Sequence, residues 1–356
     1  MKVLTVVGAR PQFIKAAPVS RILRRNHEEF LLHTGQHYDD AMSEVFFRQL
    51  AIPAPDLNLK VGSGRHGAQT GAMLPGIEDV ALAERPDWML IYGDTNSTLA
   101  GALVGAKLHI PVAHVEAGLR SYDRRMPEEV NRIVADHLSG LLLCPTETAV
   151  SNLAREGIDV NVEMVGDVMY DAFQQNLDVA RQASGIVAEL GLHKGGFQLM
   201  TVHRAENVDD PAKLRAILDG VSASGQTVLF PVHPRTRAAF AARGIVPARN
   251  IKLIDPVGYL EMLVLEEGAD AIVTDSGGVQ KEAYFAGRRC VTLRDTTEWT
   301  ETVAAGWNVL VGTDAAAIAA AMRNFQPPRD RPPLFGGGHA AERVVDALTS
   351  HGSAKP

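Results

Sequence analysis

Short apolar runs recur along the whole chain between longer stretches with helical patterns, and this alternation constrains the fold more than any other feature of the sequence. Runs that are apolar on both faces are typical of strands buried in a parallel sheet between layers of helices. The pattern therefore predicts a doubly wound α/β fold. The predicted strands are Val3–Val7, Phe30–His33, Trp88–Tyr92, Pro111–Val115, Leu141–Cys144, Leu199–Val202, Thr227–Val232, Ile251–Ile254, Ala271–Thr274, Cys290–Leu293 and Val309–Val311.

Chain length and a break in this pattern predict two domains. A chain of 356 residues exceeds the size at which a single core usually stops growing. The strand series restarts near Phe197, after a polar stretch that contains glycine. We expect an N-terminal domain at residues 1–168, joined by a C-terminal helix at 340–356, and a second domain at 169–339.

Charge and hydropathy exclude several classes of partner. The net charge of −7 argues against a nucleic-acid-binding protein, which would carry a basic domain. No apolar stretch approaches the roughly 20 residues of a membrane helix, and no signal-peptide core precedes the first strand. Cys144 and Cys290 lie in apolar runs and are expected to be buried free thiols, which fits a cytoplasmic location.

Polar residues follow several strands of the first half, where the carboxyl ends of parallel strands meet at one edge of the sheet. A turn at Gly8 enters a helix with Arg10 and Lys15, and free N–H groups there would favour an anion. Surface charge over an ordinary turn is the alternative.

Three carboxylates are expected near the same edge. Asp94 and Glu116 each close an apolar strand, and Glu128 lies in the first turn of a predicted helix that also carries Arg132. Each could merely cap a helix or complement its dipole. Held close together, they could act as separate acid and base, because neighbouring like charges drive their pKa values apart.

Phosphate-binding features dominate the second half. His203 and Arg204 follow one strand and His233 follows the next. The segment Thr274–Glu282 predicts a strand, a small-residue turn and a helix start, which together form a backbone cradle for phosphate. Glu282 could accept the hydroxyls of a ribose from that helix; the alternative is a tight turn with a solvated glutamate.

The sequence lacks the signatures of a bound cofactor. The turn at Gly8 is neither a Gly-x-Gly-x-x-Gly fingerprint nor a Walker A loop, and the sequence has no metal-ligand spacing and no Asp-x-Asp. We therefore expect no cofactor and no metal.

Taken together, these motifs resemble the non-hydrolysing UDP-N-acetylglucosamine 2-epimerases, in order from residue 1 to about 345. The motifs that carry the resemblance are Gly8-Ala9-Arg10-Pro11, Gly35-Gln36-His37, Gly93-Asp94-Thr95, His114-Val115-Glu116-Ala117-Gly118-Leu119-Arg120, Pro127-Glu128-Glu129-x-Asn131-Arg132, His203-Arg204-x-Glu206-Asn207, Asp275-Ser276-Gly277-Gly278-x-Gln280-x-Glu282 and Arg294-Asp295-x-Thr297-Glu298.

The resemblance implies a GT-B fold, with two Rossmann-like domains, an interdomain active-site cleft and a homodimer. It also implies interconversion of UDP-N-acetylglucosamine (UDP-GlcNAc) and UDP-N-acetylmannosamine (UDP-ManNAc) through elimination of UDP to a 2-acetamidoglucal. The implied acid–base groups are Asp94, Glu116 and Glu128, with His203 steadying the leaving diphosphate. The implied substrate contacts are Arg10, Lys15, Arg132, Arg204, Glu206, His233, Ser276, Gly277, Gly278, Glu282, Thr297 and Glu298.

Two departures from the family pattern widen the choice of substrate. The stretch Arg120–Pro127 is short, and Trp299 stands where familiar bacterial members carry arginine. Both features resemble relatives that act on UDP-2,3-diacetamido-2,3-dideoxy-glucuronic acid, and archaeal-type epimerases. Residues 36–42 lack the second polar anchor through which some members bind a regulatory UDP-GlcNAc, so such activation is not expected.

Three other functions remain open at this point. A GT-B glycosyltransferase needs the same grip on UDP but has less use for three carboxylates. A hydrolysing epimerase differs in the fate of the glucal, and a UDP-sugar sensor would bind without turnover.

Overall fold

A computed structural model describes residues 1–36 and 53–352. The chain divides into two compact units, which are described separately. The first unit comprises Met1–Ala172 together with Pro333–Pro356, and the second comprises Phe173–Pro332.

The first unit contains a parallel sheet in the order β3-β2-β1-β4-β5-β6-β7. Its strands are β1 (Lys2–Val7), β2 (Glu28–His33), β3 (Leu57–Asn58), β4 (Trp88–Tyr92), β5 (Val112–Val115), β6 (Leu141–Cys144) and β7 (Val162–Met164). The central strands are buried along their whole length except at Lys2 of β1, as their apolar sequences predict.

The helices of the first unit connect these strands. They are α1 (Arg10–Asn26), α2 (His66–Glu84), α3 (Asn96–Lys107), α4 (Pro127–Leu138), α5 (Glu147–Arg155), α6 (Val168–Ala183), which runs on into the second unit, and α15 (Ala340–Gly352). Pro127 opens α4, where its missing N–H has no intrahelical acceptor to lose. The carboxylate of Asp171 accepts the N–H groups of Ala340 and Ala341, which fixes the start of α15.

The second unit contains a parallel sheet in the order β10-β9-β8-β11-β12-β13. Its strands are β8 (Gln198–Thr201), β9 (Val228–Pro231), β10 (Ile251–Ile254), β11 (Ala271–Thr274), β12 (Arg289–Thr292) and β13 (Asn308–Leu310). Its helices are α7 (Ile186–Glu189), α8 (Ala205–Val208), α9 (Pro211–Ala223), α10 (Pro234–Arg243), α11 (Tyr259–Gly268), α12 (Gly277–Phe285), α13 (Thr300–Ala304) and α14 (Ala315–Asn324).

Both sheets reverse their strand order beside their first strand, between β1 and β4 and between β8 and β11. In open α/β sheets, ligands bind outside the carboxyl ends of the strands at such switch points. Cys144 and Cys290 are buried free thiols, as predicted. Within residues 1–36 and 53–352, no helix is both long and apolar enough to span a membrane.

Candidate active site

The turn after β1 is tied to the end of β4 by a buried glutamine. The Oε1 atom of Gln12 accepts the N–H groups of Gly8 and Ala9 at 2.8 and 3.0 Å, and its Nε2 donates to the carbonyl oxygen of Tyr92. The N–H groups of Gly8 and Ala9 are therefore occupied by Gln12. The anion site expected at the start of α1, with Arg10 and Lys15, stays a prediction.

Glu116 and Lys15 form an ion pair at the same switch point. Their side chains are 8% and 14% exposed, and the Nζ of Lys15 donates to Oε2 of Glu116. A Cβ atom on Gly93 would lie 3.1 Å from that Nζ and 3.2 Å from that oxygen, so both groups sit directly over the end of β4. Glu116 itself has φ of +71°, a backbone conformation that is strained for a residue with a side chain.

A second ion pair holds Asp94, the residue after Gly93. The guanidinium of Arg132 donates to Asp94 and, at 2.8 Å, to Glu129, which is buried. Asn131 donates to the main-chain carbonyl of Asp94 at 3.0 Å. Asp94 is 30% exposed and remains accessible to a ligand, whereas Arg132, predicted as a substrate contact, is engaged by two carboxylates.

The third predicted carboxylate differs in environment from its neighbour on α4. Glu128 is exposed, whereas Glu129 is buried and accepts the N–H groups of Ser121 and Tyr122 as well as Arg132. Glu129 thus anchors the segment before α4 and orients Arg132. The sequence does not predict this role of Glu129, because two adjacent acidic residues give no sign of which one faces the interior.

In the second unit, a buried aspartate orders the ends of three strands. Asp275, after β11, accepts the N–H groups of His203 and Arg204 at 3.2 and 3.0 Å, and the Nδ2 of Asn207 at 3.1 Å. The same amide of Asn207 donates to the carbonyl of Leu293, after β12. Asp275 begins the motif Asp275-Ser276-Gly277-Gly278-x-Gln280-x-Glu282. Its place directly after an apolar strand is the sequence signal that could have identified its role.

The turn after β11 retains its predicted form. Ser276 caps α12 through its hydroxyl, which accepts the N–H of Val279, and Gly277 and Gly278 form the first turn, where N–H groups have no intrahelical acceptor. Glu282 lies one turn further along. Burial and the neighbouring Glu282 carboxylate raise the pKa of Glu266 well above its usual range.

His203 borders a cavity of about 190 Å³ beside this turn. Pro231, Pro256, Val257, Met262 and Val279 supply apolar lining, with His203 and His233 on its rim. Burial lowers the pKa of His203, with smaller contributions in the same direction from His233 and nearby arginines, although Asp275 opposes them. Arg204 and Glu206 lie beside it, 4.0 Å apart.

Thr297 and Glu298, the remaining predicted substrate contacts, bond to other side chains of the protein. The hydroxyl of Thr297 donates to Gln280 at 2.7 Å, and Glu298 accepts from Arg294 at 2.9 Å while lying against Gly277. Trp299 is buried, with the Nζ of Lys281 4.3 Å from its ring centroid. Trp299, which departs from the family pattern, therefore has a packing role against Lys281.

Across the described ranges, which omit 37–52 and 353–356, no cluster of three or more His, Cys, Asp or Glu side chains is arranged to hold a metal. Gln36 accepts from the N–H and hydroxyl of Ser97, but residues 37–42 of the predicted regulatory segment lie outside the described residues.

Comparison with known proteins matches residues 21–349 to a family model described as UDP-N-acetylglucosamine 2-epimerase. A Methanococcus maripaludis protein named UDP-N-acetylglucosamine 2-epimerase homolog is 52% identical, covering 98% of this chain and 99% of its own. The Pseudomonas aeruginosa UDP-2,3-diacetamido-2,3-dideoxy-D-glucuronate 2-epimerase is 48% identical over the same shares.

Among solved structures, the UDP-GlcNAc 2-epimerase of Methanocaldococcus jannaschii, in complex with UDP-GlcNAc and UDP, superposes with a TM-score of 0.87. It is 44% identical, and the match covers 98% of this chain and 100% of that one. The likeness confirms the predicted fold class, an α/β architecture of two Rossmann-like parallel-sheet domains of the GT-B type.

Proposed function

The chain belongs to the UDP-N-acetylglucosamine 2-epimerase family and is an isomerase, and on that premise we propose that it interconverts UDP-GlcNAc and UDP-ManNAc without hydrolysing either. The observation that carries the proposal is the pair of carboxylates, Glu116 and Asp94, each held by a cation at the switch point of one sheet. A protein that only bound UDP would need the second unit's phosphate turn but not these two groups.

The chemistry of the substrate explains why such carboxylates are needed. The proton on C2 of the sugar is not adjacent to a carbonyl group, so it is poorly acidic unless C1 loses its leaving group at the same time. A carboxylate takes that proton, the C1–C2 double bond forms, and the electrons of the C1–O bond leave with UDP. Return of a proton to the opposite face of C2, while the UDP oxygen rebonds to C1, completes the inversion.

Each unit would supply one part of this chemistry. Asp94, Glu116 and Glu128 would transfer protons, with Lys15 paired to Glu116. Ser276, Gly277 and Gly278 would hold the diphosphate through the start of α12. The Glu282 carboxylate would accept the ribose hydroxyls, and the cavity beside His203 would receive the nucleobase.

The decisive experiment is incubation of the purified protein with UDP-GlcNAc in D2O, without metal or acceptor, followed by proton NMR. We expect UDP-ManNAc to accumulate and deuterium to enter C2 of both sugars. Free N-acetylmannosamine with stoichiometric UDP would instead indicate a hydrolysing epimerase. Binding of UDP-GlcNAc without isotope exchange would identify a sensor or a different substrate.

A second candidate substrate is UDP-2,3-diacetamido-2,3-dideoxy-glucuronic acid. The 48% identity to an epimerase named for that sugar supports it, as does Trp299, which resembles that group of relatives. The same NMR experiment with this nucleotide, compared by kcat/KM, separates the two. The homodimer and the domain limits implied by the sequence stay predictions.

We expect UDP to bind more tightly as the pH falls through the pKa of His203. In the free protein that pKa is lowered, chiefly by burial, so the imidazole is neutral at pH 7. A bound diphosphate favours the charged imidazole and raises its pKa. Binding should therefore take up a proton below neutral pH, which calorimetry in buffers of different ionisation enthalpy measures.

Two variants make this test specific. His203→Asn should abolish the linked proton uptake, whereas His193→Asn, at an exposed position of the same unit, should leave it unchanged. Proton uptake that persists in His203→Asn would assign the effect to the phosphate itself or to another group.

A further inference from the structure

The imidazole of His114 joins the two strand ends that carry Asp94 and Glu116. The ring is fully buried on β5, and its Nε2 lies 2.7 Å from the carbonyl oxygen of Gly93, at the end of β4. A carbonyl oxygen can only accept a hydrogen bond, so Nε2 carries a hydrogen. Its other nitrogen, Nδ1, lies 2.7 Å from Oδ1 of Asp136 on α4.

Asp136 pairs with the buried cation of Arg120 as well as with His114. Its Oδ2 accepts from the guanidinium of Arg120 at 2.7 Å and from the N–H of Gly118 at 3.1 Å. Burial alone would raise the pKa of Asp136, but its hydrogen bond with His114 and its pair with Arg120 lower it overall. Since an ionised carboxylate offers no hydrogen, the Nδ1 of His114 must also donate.

We propose that His114 is a doubly protonated positioning residue held by Asp136. Together, His114 and Asp136 fix the peptide group before Asp94 and the turn after Glu116. One bond holds the carbonyl that immediately precedes Asp94, and the Gly118 N–H bond to Asp136 holds the turn just after Glu116. Hydrogen bonds from a charged donor are shorter and stronger than neutral ones. This inference rests on the proposed function, because it assumes that Asp94 and Glu116 transfer protons.

The surrounding charges support a closed network. Arg120 is bound bidentately by Glu156 at 2.7 Å for each contact, so the group of two cations and two carboxylates is neutral. Across Gly93 lies the second pair, Lys15 and Glu116. The His114 ring and the Lys15–Glu116 pair therefore both lie against Gly93. A shift of the His114 ring would displace the peptide beneath Glu116.

Asp136→Asn is the sharpest test, because it preserves the hydrogen-bond pattern. The Asn oxygen can accept from Arg120 and Gly118 while its amide donates to Nδ1, which leaves His114 neutral with its hydrogen on Nε2. We expect side-chain nitrogen shifts of an imidazolium at pH 7.5 in the unsubstituted protein and of a neutral ring in Asp136→Asn. We also expect kcat to fall by about 10- to 100-fold with little change in KM, because small misplacements of reacting groups cost this much.

Glu147→Gln is the matched control, since it alters an exposed carboxylate in the first turn of α5, outside this network; it should retain kcat and the imidazolium shifts. A neutral His114 in the unsubstituted protein, or an unchanged kcat in Asp136→Asn once the ring is neutral, would overturn the inference. Absence of turnover in the unsubstituted protein would overturn the proposed function instead. In that case the nitrogen shifts and the carbonyl carbon shift of Gly93 would still decide whether the ring holds this strand end.

Discussion

Replacing Glu116 by glutamine is expected to slow exchange of the C2 proton of UDP-GlcNAc by roughly 10²–10⁴-fold, the usual contribution of one general acid–base group. Glutamine fills the same volume and can still accept a hydrogen bond from Lys15, so the strand end should keep its position. The glutamine amide, however, cannot take a proton from carbon. The rate of deuterium entry at C2, followed by NMR from UDP-GlcNAc and separately from UDP-ManNAc, measures the effect on each face of the sugar.

The matched control is Glu147→Gln, which alters an exposed carboxylate in the first turn of α5. It should exchange at the unsubstituted rate, and both variants should bind UDP normally, because the proposed UDP contacts of the second unit are intact. Asp94→Asn, tested in the same way, then divides the roles. If Glu116→Gln exchanged the proton as fast as the control from both epimers, Glu116 would not be an acid–base group.

Gly118→Ala is expected to be the most destabilising small substitution near the site. Gly118 has φ of +80°, and a Cβ atom there would overlap the carbonyl oxygen of Ala149 and lie 2.9 Å from its carbonyl carbon. The left-handed backbone costs an alanine about 1–2 kcal/mol. Overpacking against the backbone of α5 adds about 1–3 kcal/mol, because a helix cannot yield locally as a flexible side chain would.

Gly157→Ala separates these two contributions. Gly157 also has a positive φ, +77°, but a Cβ atom there meets nothing within 4 Å. Urea unfolding should therefore show a loss for Gly118→Ala that exceeds the loss for Gly157→Ala by the overpacking contribution alone. Equal losses in the two variants would mean that α5 moves aside at little cost.

The strands were predictable because a buried parallel strand must be apolar on both faces, and the eleven predicted runs coincide with strands to within a residue or two at each end. Among residues 1–36 and 53–352, the strands that hydropathy did not predict are β3 and β7. Both are short and lie at the edges of the first sheet, and β3 is fully exposed. Neither needs a continuous apolar run, so hydropathy gives no signal for them.

The positions of the site residues were partly predictable, but their partners were not. Asp94 and Glu116 follow predicted strands of the first sheet and His203 follows one of the second, and parallel topology alone brings such positions to the carboxyl edge of their own sheet. The pairing of Glu116 with Lys15, and the capture of the Gly8 N–H by Gln12, depend on the rotation of α1 over the sheet. That rotation is set by side-chain packing along the whole helix, which residue spacing at one end does not reveal.

The return of the chain to its first unit has a consequence for how the protein is made. Residues 173–332 form one continuous segment, so the second unit can fold as soon as that segment has left the ribosome. The first unit is interrupted, because α15 docks on Asp171 only after residues 340–352 have emerged. During synthesis, the sheet bearing Asp94 and Glu116 therefore gains its last helix only after the whole of the second unit has been translated.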